Sequence, residues 1–331
     1  MIIDSRAFAR AGLLGNPSDG YFGKTISLSI KNFGAHILLY QSPELVIEQQ
    51  EADANSFRNI YHLKETVSLI GYNGGIPIIK AAIKKFCDYC DDNHIRLSSK
   101  NFTIRYNSTI PRQVGLAGSS AIIVATLKAL MQFYRVEIPL YLLPNIALEA
   151  ETLEMGINAG LQDRVIQCYE GCVHMDFNKA QMEKHGYGIY TRIEPTLLPK
   201  LYIAYKTDLG KVSGKVLNEI RSKYDKGDKD VIATLNTIAN LADQGAEAIA
   251  AKDDNLLGEL INANFDNRCK IMTISDSNMQ LINTARNCGA SASFTGSGGA
   301  IIGIYHDDDM LKKLIYNLKK INARVIKPYM I

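Results

Sequence analysis

The sequence feature that most limits the possible folds is a loop of small residues between a strand pattern and a helix pattern. Apolar or aromatic residues alternate with polar residues at Phe102–Tyr106, which predicts a strand. The apolar run Ala121–Phe133 predicts a helix. The loop between them contains Gly115, Leu116, Ala117, Gly118, Ser119, Ser120 and Ala121. Small residues leave backbone N–H groups accessible to an anion, and the N-terminus of a helix favours negative charge. The loop therefore predicts a phosphate site, although an ordinary turn has the same composition.

This loop has neither of the two common nucleotide-binding patterns. No Gly-Lys-Ser/Thr follows it, as a Walker loop requires, and its spacing is not G-x-G-x-x-G. A second loop of small residues, Thr295–Ala300, lies between the two halves of a predicted strand pair. Taken alone, it predicts a hairpin turn or a bulge as readily as a ligand site. Two such loops in one chain favour a shared phosphate site over two unrelated turns.

Acidic residues flank a glycine-rich turn in the middle of the chain. Helical spacing predicts helices at Pro144–Met155 and Leu161–Tyr169, with the turn Gly156–Gly160 between them. Glu151 precedes the turn and Asp163 follows it. Carboxylates placed in this way can converge on one point, as Mg²⁺ binding and proton abstraction from a hydroxyl both require. The alternative is a solvated helix face.

Length and composition indicate a globular protein of two domains. The chain has 331 residues, of which 47% are apolar and 21% charged, so it can bury a large core without metals or disulfides. We expect a shared cleft and a boundary near residue 195, which divides the chain into 1–195 and 196–331. One large domain is the alternative. Beyond the boundary, helices are predicted at 228–251, 254–271, 275–288 and 308–321, and strands near 201–205, 291–304 and 322–329.

Charge and cysteine content argue against several classes of protein. The formal net charge is +3, from 37 basic and 34 acidic side chains without a dense basic run, so we expect no nucleic-acid partner. The N-terminus lacks a signal-peptide pattern and no stretch approaches about 18 apolar residues, so we expect a cytoplasmic protein that does not bind membranes. Six cysteines without framework spacing predict reduced thiols. Cys87 and Cys90 have redox-like spacing, but their helical context favours ordinary helix cysteines.

The two loops and the acidic turn together resemble the GHMP kinase superfamily, which includes galactokinase, homoserine kinase, mevalonate kinase and phosphomevalonate kinase. Pro111–Ala121 is similar to the family's Pro-x3-Gly-Leu-Gly-Ser-Ser-Ala motif, with Ala117 as one additional residue. Thr295–Ala300 resembles the C-terminal glycine-rich motif, and Ala9–Asp19 resembles the N-terminal substrate motif. The resemblance implies an α+β fold of two domains with the active site in the cleft between them. It also implies a left-handed βαβ unit of the ribosomal protein S5 domain 2 type in the N-terminal domain, and a ferredoxin-like C-terminal domain.

The same resemblance implies roles for individual residues. Asp163 lies where the family has its catalytic aspartate, and Arg10 matches the basic residue that faces this aspartate. Glu151 matches the Mg²⁺-binding glutamate, and Ser120 matches the loop serine that contacts Mg²⁺. ATP is the implied phosphoryl donor. The implied nucleotide-binding residues are Pro111, Gly115, Leu116, Ala117, Gly118, Ser119, Ser120 and Ala121.

A narrower resemblance connects several segments to the plant-type glucuronokinases. These segments are Arg6–Lys24, Ile110–Ala121, Ala159–Val165 and Val173–Phe177, and in that group the additional loop residue is part of the pattern. The implied reaction transfers the γ-phosphoryl group of ATP to the anomeric hydroxyl of D-glucuronate, giving D-glucuronate 1-phosphate and ADP. Kinases for galactose, a heptose or mevalonate are the alternatives among enzymes. A sugar-sensing protein without catalysis is the alternative from another class.

A uronic acid requires a residue that binds its carboxylate, and arginine does so with two parallel hydrogen bonds. Arg6, Arg112 and Arg164 are the arginine candidates near the motifs, and Lys24 is a weaker one. Asp19 matches a residue that binds sugar hydroxyls in galactokinases. Tyr21 could stack on the sugar, or pack in the core instead. The remaining candidates for substrate contacts are Asn16, Thr295, Gly296, Ser297 and Gly298. The sequence leaves open whether the protein is a monomer or a homodimer.

Overall fold

The structure is a computed structural model, and it describes residues 1–48, 75–207 and 215–330. The chain divides into two compact units. The first unit contains Met1–Ala9, Phe33–Ile110 and Ala117–Cys168, and the second contains Arg10–Asn32, Pro111–Leu116 and Tyr169–Ile331. Each unit is therefore assembled from separate stretches of sequence, whereas the predicted boundary near residue 195 is a single cut. That boundary stays a prediction.

The strands of the first unit form the βαβ arrangement that was expected. The strands are β1 (Ile2–Leu14), β2 (Lys24–Ser42), β3 (Val46–Ile47) and β4 (Asn101–Ser108), and β1 and β2 continue into the second unit. Side chains alternate between exposed and buried from Ile2 to Ala7, as expected of a strand with one face in the core. The later half of β2 pairs antiparallel with β4, and β3 pairs parallel with β4. The chain between β3 and β4 contains a helix, α1 (Gly75–Asp92). The left-handedness of this unit stays a prediction.

Three further helices begin in the first unit and confirm the helix predictions for the middle of the chain. They are α2 (Gly118–Tyr134), α3 (Leu143–Thr152) and α4 (Gln162–Tyr169). Helices α1, α2 and α3 pack on one another, and α2 is buried along most of its length because it is apolar on nearly every side. Its N-terminus therefore gives the small-residue loop a rigid support. Cys87 and Cys90 lie on α1, and all six cysteines of the chain are free thiols.

The second unit contains two sets of paired strands. The first part of β2 pairs with β5 (Cys172–Asp176), which pairs with β6 (Ile189–Ile193). The other strands are β7 (Leu201–Lys206), β8 (Ser293–Phe294), β9 (Ala300–Ile304) and β10 (Ala323–Ile326). These four form an antiparallel sheet in the order β10-β7-β9-β8. With helices after β7 and after β9, this order is the ferredoxin-like arrangement that was expected. The predicted strand pair 291–304 is therefore β8 and β9, with the glycine loop between them.

The long helices of the second unit begin at capping side chains. The helices of this unit are α5 (Lys179–His185), α6 (Lys215–Asp225), α7 (Lys229–Ala251), α8 (Asp254–Ile271), α9 (Asp276–Arg286) and α10 (Asp308–Lys319). Asp228, Asp253, Ser275 and Asp307 accept backbone N–H groups at the starts of α7 to α10. The four long helices were predicted close to their observed bounds, whereas α5 and α6 were not predicted. In the described ranges, every helix is too short or too polar to cross a lipid bilayer.

Candidate active site

In the second unit, the carbonyl of Thr295 brings the N-terminal motif and the C-terminal glycine loop together. It accepts the backbone N–H of Gly12 at 2.8 Å and a hydrogen bond from the guanidinium of Arg10. The hydroxyl of Thr295 donates to the carbonyl of Gly115 at 3.2 Å, so the start of the small-residue loop joins the same cluster. Three segments that are far apart in the sequence therefore meet at one buried threonine.

Glycine is required where the two loops touch. Gly115 has a φ of +73°, and a Cβ placed on it would lie 2.9 Å from the carbonyl oxygen of Gly298. A Cβ on Gly296 would lie 2.5 Å from the carbonyl oxygen of Gly115. Both distances are shorter than the normal contact distance between a carbon atom and an oxygen atom. Only glycine, which has no Cβ, therefore allows the two backbones to pack directly on each other here. This contact accounts for the composition of both loops at these positions.

Arg10 lies at the centre of this cluster and is almost completely buried. Its Nη1 donates to the carbonyl of Gly115 at 3.0 Å, and its backbone N–H donates to the carbonyl of Leu116 at 3.1 Å. Because β1 supplies the backbone and two loops supply the acceptors, the guanidinium is held in one position. A fixed, buried cation beside two glycine loops is suited to stabilising an anion.

A second buried arginine, Arg268, was missing from the sequence predictions. It lies on α8, is fully buried, and donates from Nη2 to the carbonyl of Gly296 at 2.8 Å. Its guanidinium lies 5.2 Å from the ring centroid of Phe294. Burial, followed by the positive charge of Arg10, lowers the pKa of Arg268 to about 10. The available sequence signal was its place on the apolar face of α8, where a charged side chain is unusual.

Two asparagines fix the loop that carries the N-terminal motif. The side-chain carbonyl of Asn264 accepts the backbone N–H of Gly15 at 2.8 Å, and its amide donates to the carbonyl of Asn16 at 3.2 Å. The amide of Asn16 donates to the carbonyl of Thr295 at 3.4 Å. Asn16 was predicted to contact substrate, and here it is a buried part of the loop framework. Asn264 was not predicted.

The short helical turn Ser18–Tyr21 carries two further predicted residues, Asp19 and Tyr21, which are both half-buried. The guanidinium of Arg221 lies 4.6 Å from the ring centroid of Tyr21, and the ring of Tyr224 lies 4.8 Å away. Burial raises the pKa of Tyr21 to about 12. The hydroxyl of Tyr21 is therefore protonated at neutral pH and available as a hydrogen-bond donor.

Lys24 belongs to a polar cluster of the second unit. Its ammonium lies 2.6 Å from a carboxylate oxygen of Asp243 and 3.7 Å from one of Asp176. His174 lies 2.9 Å from the other oxygen of Asp243. The hydrogen bond to Asp243 is the main cause of the raised pKa of Lys24. Two protein carboxylates thus already face the ammonium that was predicted to bind a sugar carboxylate.

In the first unit, the additional loop residue Ala117 starts helix α2. Its backbone is left-handed, with φ 60° and ψ 49°, which is unfavourable for a residue with a Cβ. Its carbonyl accepts from the amide of Gln167 at 2.8 Å and from the hydroxyl of Ser120 at 3.2 Å. Lys128 donates to the backbone carbonyl of Gln167 at 3.1 Å. Gln167 is fully buried and was not predicted.

The glycine-rich turn of the first unit brings both predicted carboxylates to one arginine. Arg164 forms an ion pair with Glu151, and both side chains are almost completely buried. Its Nη1 lies 3.5 Å from a carboxylate oxygen of Asp163 and donates to the carbonyl of Gly160 at 2.8 Å. Asp163 lies in the first turn of α4, where acidic side chains are stabilising. The predicted convergence of the two carboxylates on one point is observed, and that point is Arg164.

The remaining predicted residues lie in less constrained positions. Arg6 is exposed on β1 of the first unit and pairs with Asp4 at 3.5 Å. Arg112 is exposed and Pro111 is half-buried, both in the second unit. Ser119 lies in the first turn of α2, and its hydroxyl oxygen is buried without a hydrogen-bond partner among the described residues. In the second loop, Ser297 is half-buried and Gly298 has a φ of +126°.

Comparison with known proteins identifies the family. Residues 77–171 match the model of the GHMP kinases N terminal domain, and residues 246–323 match the model of the GHMP kinases C terminal domain. Together the two matches cover more than half of the chain. The chain belongs to the GHMP kinase family. It is therefore a phosphotransferase with an alcohol group as acceptor, and GHMP kinases use ATP as the phosphoryl donor.

Two plant proteins resemble this GHMP kinase over most of its length. Glucuronokinase 1 of Arabidopsis thaliana is 44% identical over 91% of this chain and 84% of its own length. Probable glucuronokinase 2 of the same organism is 42% identical over 99% of this chain and 91% of its own length. Among solved structures, Lactococcus lactis galactokinase complexed with galactose has a TM-score of 0.77 at 16% identity, over 99% of this chain and 93% of the galactokinase. That likeness confirms the two-domain α+β fold of the GHMP kinases.

Proposed function

We propose that this GHMP kinase transfers the γ-phosphoryl group of ATP to the anomeric hydroxyl of D-glucuronate, giving D-glucuronate 1-phosphate and ADP. The observation that carries the proposal is the likeness to two proteins named as glucuronokinases, at 44% and 42% identity over 91% and 99% of this chain. In the reaction, a bond forms between the anomeric oxygen and the γ-phosphorus. The bond from that phosphorus to the oxygen it shares with the β-phosphorus breaks.

Asp163 is proposed to accept or orient the proton of the anomeric hydroxyl. Its carboxylate is held 3.5 Å from Nη1 of Arg164, and it projects from the first turn of α4. An anchored carboxylate is the kind of group that general-base assistance requires. Arg164 therefore serves to position Asp163 and Glu151. This arrangement favours a bracing role for Arg164 over binding of the sugar carboxylate.

The nucleotide phosphates are proposed to bind the small-residue loop from Gly115 to Ala121, with Pro111 before it. The start of α2 supplies backbone N–H groups, and its dipole favours negative charge. The buried hydroxyl of Ser119 supplies a donor at the same helix start. Arg10 is proposed to offset the charge on the transferring phosphoryl group, since its guanidinium is fixed beside Gly115. Phosphoryl transfer depends mainly on such positioning and charge stabilisation.

Mg²⁺ is proposed to bind Ser120 and Glu151. A hydroxyl and a carboxylate are the hard oxygen ligands that this ion prefers, so the residue types fit. Among the described residues, no group of three or more histidine, cysteine, aspartate or glutamate side chains could hold a metal alone. That finding is consistent with an ion held partly by nucleotide phosphates, as is usual for Mg²⁺. When bound, the ion would neutralise phosphate charge, while Glu151 would share its carboxylate with Arg164.

The sugar is proposed to bind beside the N-terminal motif and the C-terminal glycine loop. Asp19 and Tyr21 lie on the turn that follows Asn16, and they offer a carboxylate and a hydroxyl for sugar hydroxyl groups. The residues from Thr295 to Gly298 would close the same site. Arg6, Arg112 and Lys24 remain candidates for the sugar carboxylate. Lys24 already faces two protein carboxylates, which makes it the weakest of them.

Two further properties of this kinase are its compartment and its oligomeric state. We propose that the kinase acts in the cytoplasm as a monomer or a homodimer. Its six free thiols and its use of ATP both suit that compartment. Size-exclusion chromatography with light scattering would decide between the two oligomeric states.

A direct test is to incubate the purified protein with ATP and Mg²⁺ and each of several acceptors. The acceptors are D-glucuronate, D-galacturonate, D-galactose, a heptose phosphate and mevalonate. We expect phosphorus NMR to show an anomeric sugar phosphate with D-glucuronate. Turnover of D-galactose or mevalonate without turnover of D-glucuronate would refute the proposal.

A further inference from the structure

Arg221 lies directly against the turn that is proposed to contact the sugar. Its Nη2 donates to the backbone carbonyl of Gly20 at 2.7 Å. Its guanidinium lies 4.6 Å from the ring centroid of Tyr21, a distance at which a cation and an aromatic ring attract each other. Gly20 and Tyr21 both belong to the turn Ser18–Tyr21, and helix α6, which carries Arg221, lies in the same unit. A hydrogen bond and a ring contact therefore hold this guanidinium at the turn.

Arg221 has more hydrogen-bonding capacity than its protein contacts use. Within the described ranges, its ion-pair partner is Asp225, one helical turn later, at 3.5 Å from Nη1. The two side chains are 44% and 58% exposed, so water screens both charges and the pair is weak. A guanidinium carries more N–H donors than Gly20 and Asp225 occupy. The other donors can bind an anion.

The turn connects Arg221 to the proposed sugar site. Sugar hydroxyls are proposed to contact Asp19, which directly precedes Gly20 in the turn. Consecutive Cα atoms are about 3.8 Å apart, which is less than the width of a sugar ring, so a sugar at Asp19 can reach the guanidinium held at Gly20. Arginine donates two parallel charge-assisted hydrogen bonds to a carboxylate, whereas a neutral hydroxymethyl group accepts a single, weaker one.

We propose that Arg221 binds the carboxylate of the acceptor and makes the site selective for a sugar acid over the equivalent neutral sugar. This inference rests on the proposed function and names the residue that selects its substrate class. Lys24 and Arg164, two of the candidates that the sequence suggested, each face two protein carboxylates. Arg221 faces one carboxylate, and weakly, so it is better suited to bind a carboxylate from the substrate.

The main test compares D-glucuronate with D-glucuronamide, which has the same sugar ring and a neutral amide in place of the carboxylate. The quantity measured is the ratio of kcat/KM for the acid to kcat/KM for the amide, at saturating ATP. We expect Arg221→Gln to lower this ratio about 10-fold or more, because charge-assisted hydrogen bonds are lost for the acid alone. The change should appear mainly in KM for the acid, with KM for ATP unchanged.

Arg192 provides a matched control in the same unit. It also donates to a backbone carbonyl, that of Tyr169 at 3.0 Å, which lies outside the turn. Arg192→Gln should change the ratio by less than about 2-fold, because a surface charge far from the ligand is screened by water and salt. If Arg221→Gln lowers kcat/KM equally for acid and amide, Arg221 only supports the turn and the inference is wrong.

A variant of Asp225 should act in the opposite direction. Asp225→Asn removes the carboxylate that competes for Arg221 and leaves the contacts with Gly20 and Tyr21 in place. The ratio should therefore rise about 2-fold, the size of effect expected for an exposed pair within one helix. A fall in the ratio would contradict direct binding of the acid by Arg221.

Binding without turnover gives a second measurement. D-glucuronate and D-glucuronamide are titrated into the protein by calorimetry, with Mg²⁺ and a non-hydrolysable ATP analogue. We expect the unmodified protein to bind the acid about 10-fold or more tightly than the amide, and Arg221→Gln to lose this preference. Equal affinities in the unmodified protein would overturn the inference.

The two measurements also distinguish this inference from the proposed function. Phosphorylation of D-glucuronate with an unchanged ratio in Arg221→Gln would refute the role of Arg221 alone. If the unmodified protein does not phosphorylate D-glucuronate, the proposed function fails, and the titration still decides whether Arg221 selects a sugar acid.

Discussion

The side-chain amide of Gln167 donates a hydrogen bond of 2.8 Å to the backbone carbonyl of Ala117. Gln167 lies on α4 one turn after Asp163, so both side chains project from the same side of that helix. Ala117 is the residue at which the proposed phosphate loop becomes helix α2. One buried side chain therefore sets the proposed base and the proposed phosphate loop relative to each other.

Replacement of Gln167 by Leu should weaken ATP binding. The carbonyl of Ala117 would lose its best-placed donor, at a cost of about 1–3 kcal/mol for a buried polar group. If half of that cost falls on the loop conformation, KM for ATP rises about 2- to 13-fold. Lys128→Met is the control, because Lys128 donates to the backbone carbonyl of Gln167, which the Gln167→Leu substitution leaves in place. An unchanged KM for ATP in Gln167→Leu would show that the bond does not shape the loop.

The left-handed backbone at Ala117 makes a prediction about stability. Ala117→Gly removes a strain of about 1–2 kcal/mol and adds about 0.4–1 kcal/mol of entropy to the unfolded chain. The free energy of unfolding in urea should therefore stay unchanged or rise by about 1 kcal/mol. Ala117→Val should lower it by more than about 1 kcal/mol, because a β-branched residue tolerates this conformation poorly. Destabilisation by glycine would contradict the assigned backbone conformation.

The buried pair of Glu151 and Arg164 is expected to couple strongly. Glu151→Met and Arg164→Met should each lower the free energy of unfolding by about 3–5 kcal/mol, because each removes the most buried partner of a buried charge. The double variant should lose less than the sum of the two, with a coupling energy of about 2 kcal/mol. Glu183→Gln, which breaks the exposed pair with Lys179, should cost less than about 1 kcal/mol. Additive losses in the double variant would mean that the two side chains do not interact.

Asp163→Asn should reduce turnover while leaving ATP binding intact. Loss of a general base lowers kcat by about 10²- to 10⁴-fold, whereas the proposed phosphate loop does not depend on the Asp163 carboxylate. Rapid-quench turnover and calorimetric titration with ATP would measure the two effects separately. Glu149→Gln is the control, since Glu149 faces Lys85 at 2.9 Å. Full activity in Asp163→Asn would assign the base to another residue.

The sequence predicted the framework better than it predicted side-chain partners. The long helices α7 to α10 were located because the spacing of apolar residues along an amphipathic helix is a local signal. The two loops were found because their small residues are a local signal, and glycine is required where backbone meets backbone, as at Gly115 and Gly296. Short helices such as α5, with seven residues, are too short to show the periodic spacing of apolar residues from which a helix is predicted.

The partners of individual charges could not be predicted, because they depend on residues far away in the chain. Lys24 was a weaker candidate for the sugar carboxylate and stays one, but its partner Asp243, which lies 219 positions later, was not predicted. Arg268 falls within the apolar period of α8, but that position does not reveal its acceptor, the carbonyl of Gly296. Arg164 was one of several candidates for the sugar carboxylate, and its pairing with Glu151 crosses a turn whose path the sequence does not specify.

The second unit begins at Arg10 and is completed only by the last part of the chain. The backbone of Gly15, for example, bonds with Asn264, which lies 249 positions later. At synthesis rates of about 5–20 residues per second, roughly 12–50 s pass on the ribosome before that partner exists. During this interval β1, an apolar strand that is synthesised early, lacks its final neighbours and is accessible to chaperones and proteases. A gene fragment that stops near residue 195 would leave it in that state permanently.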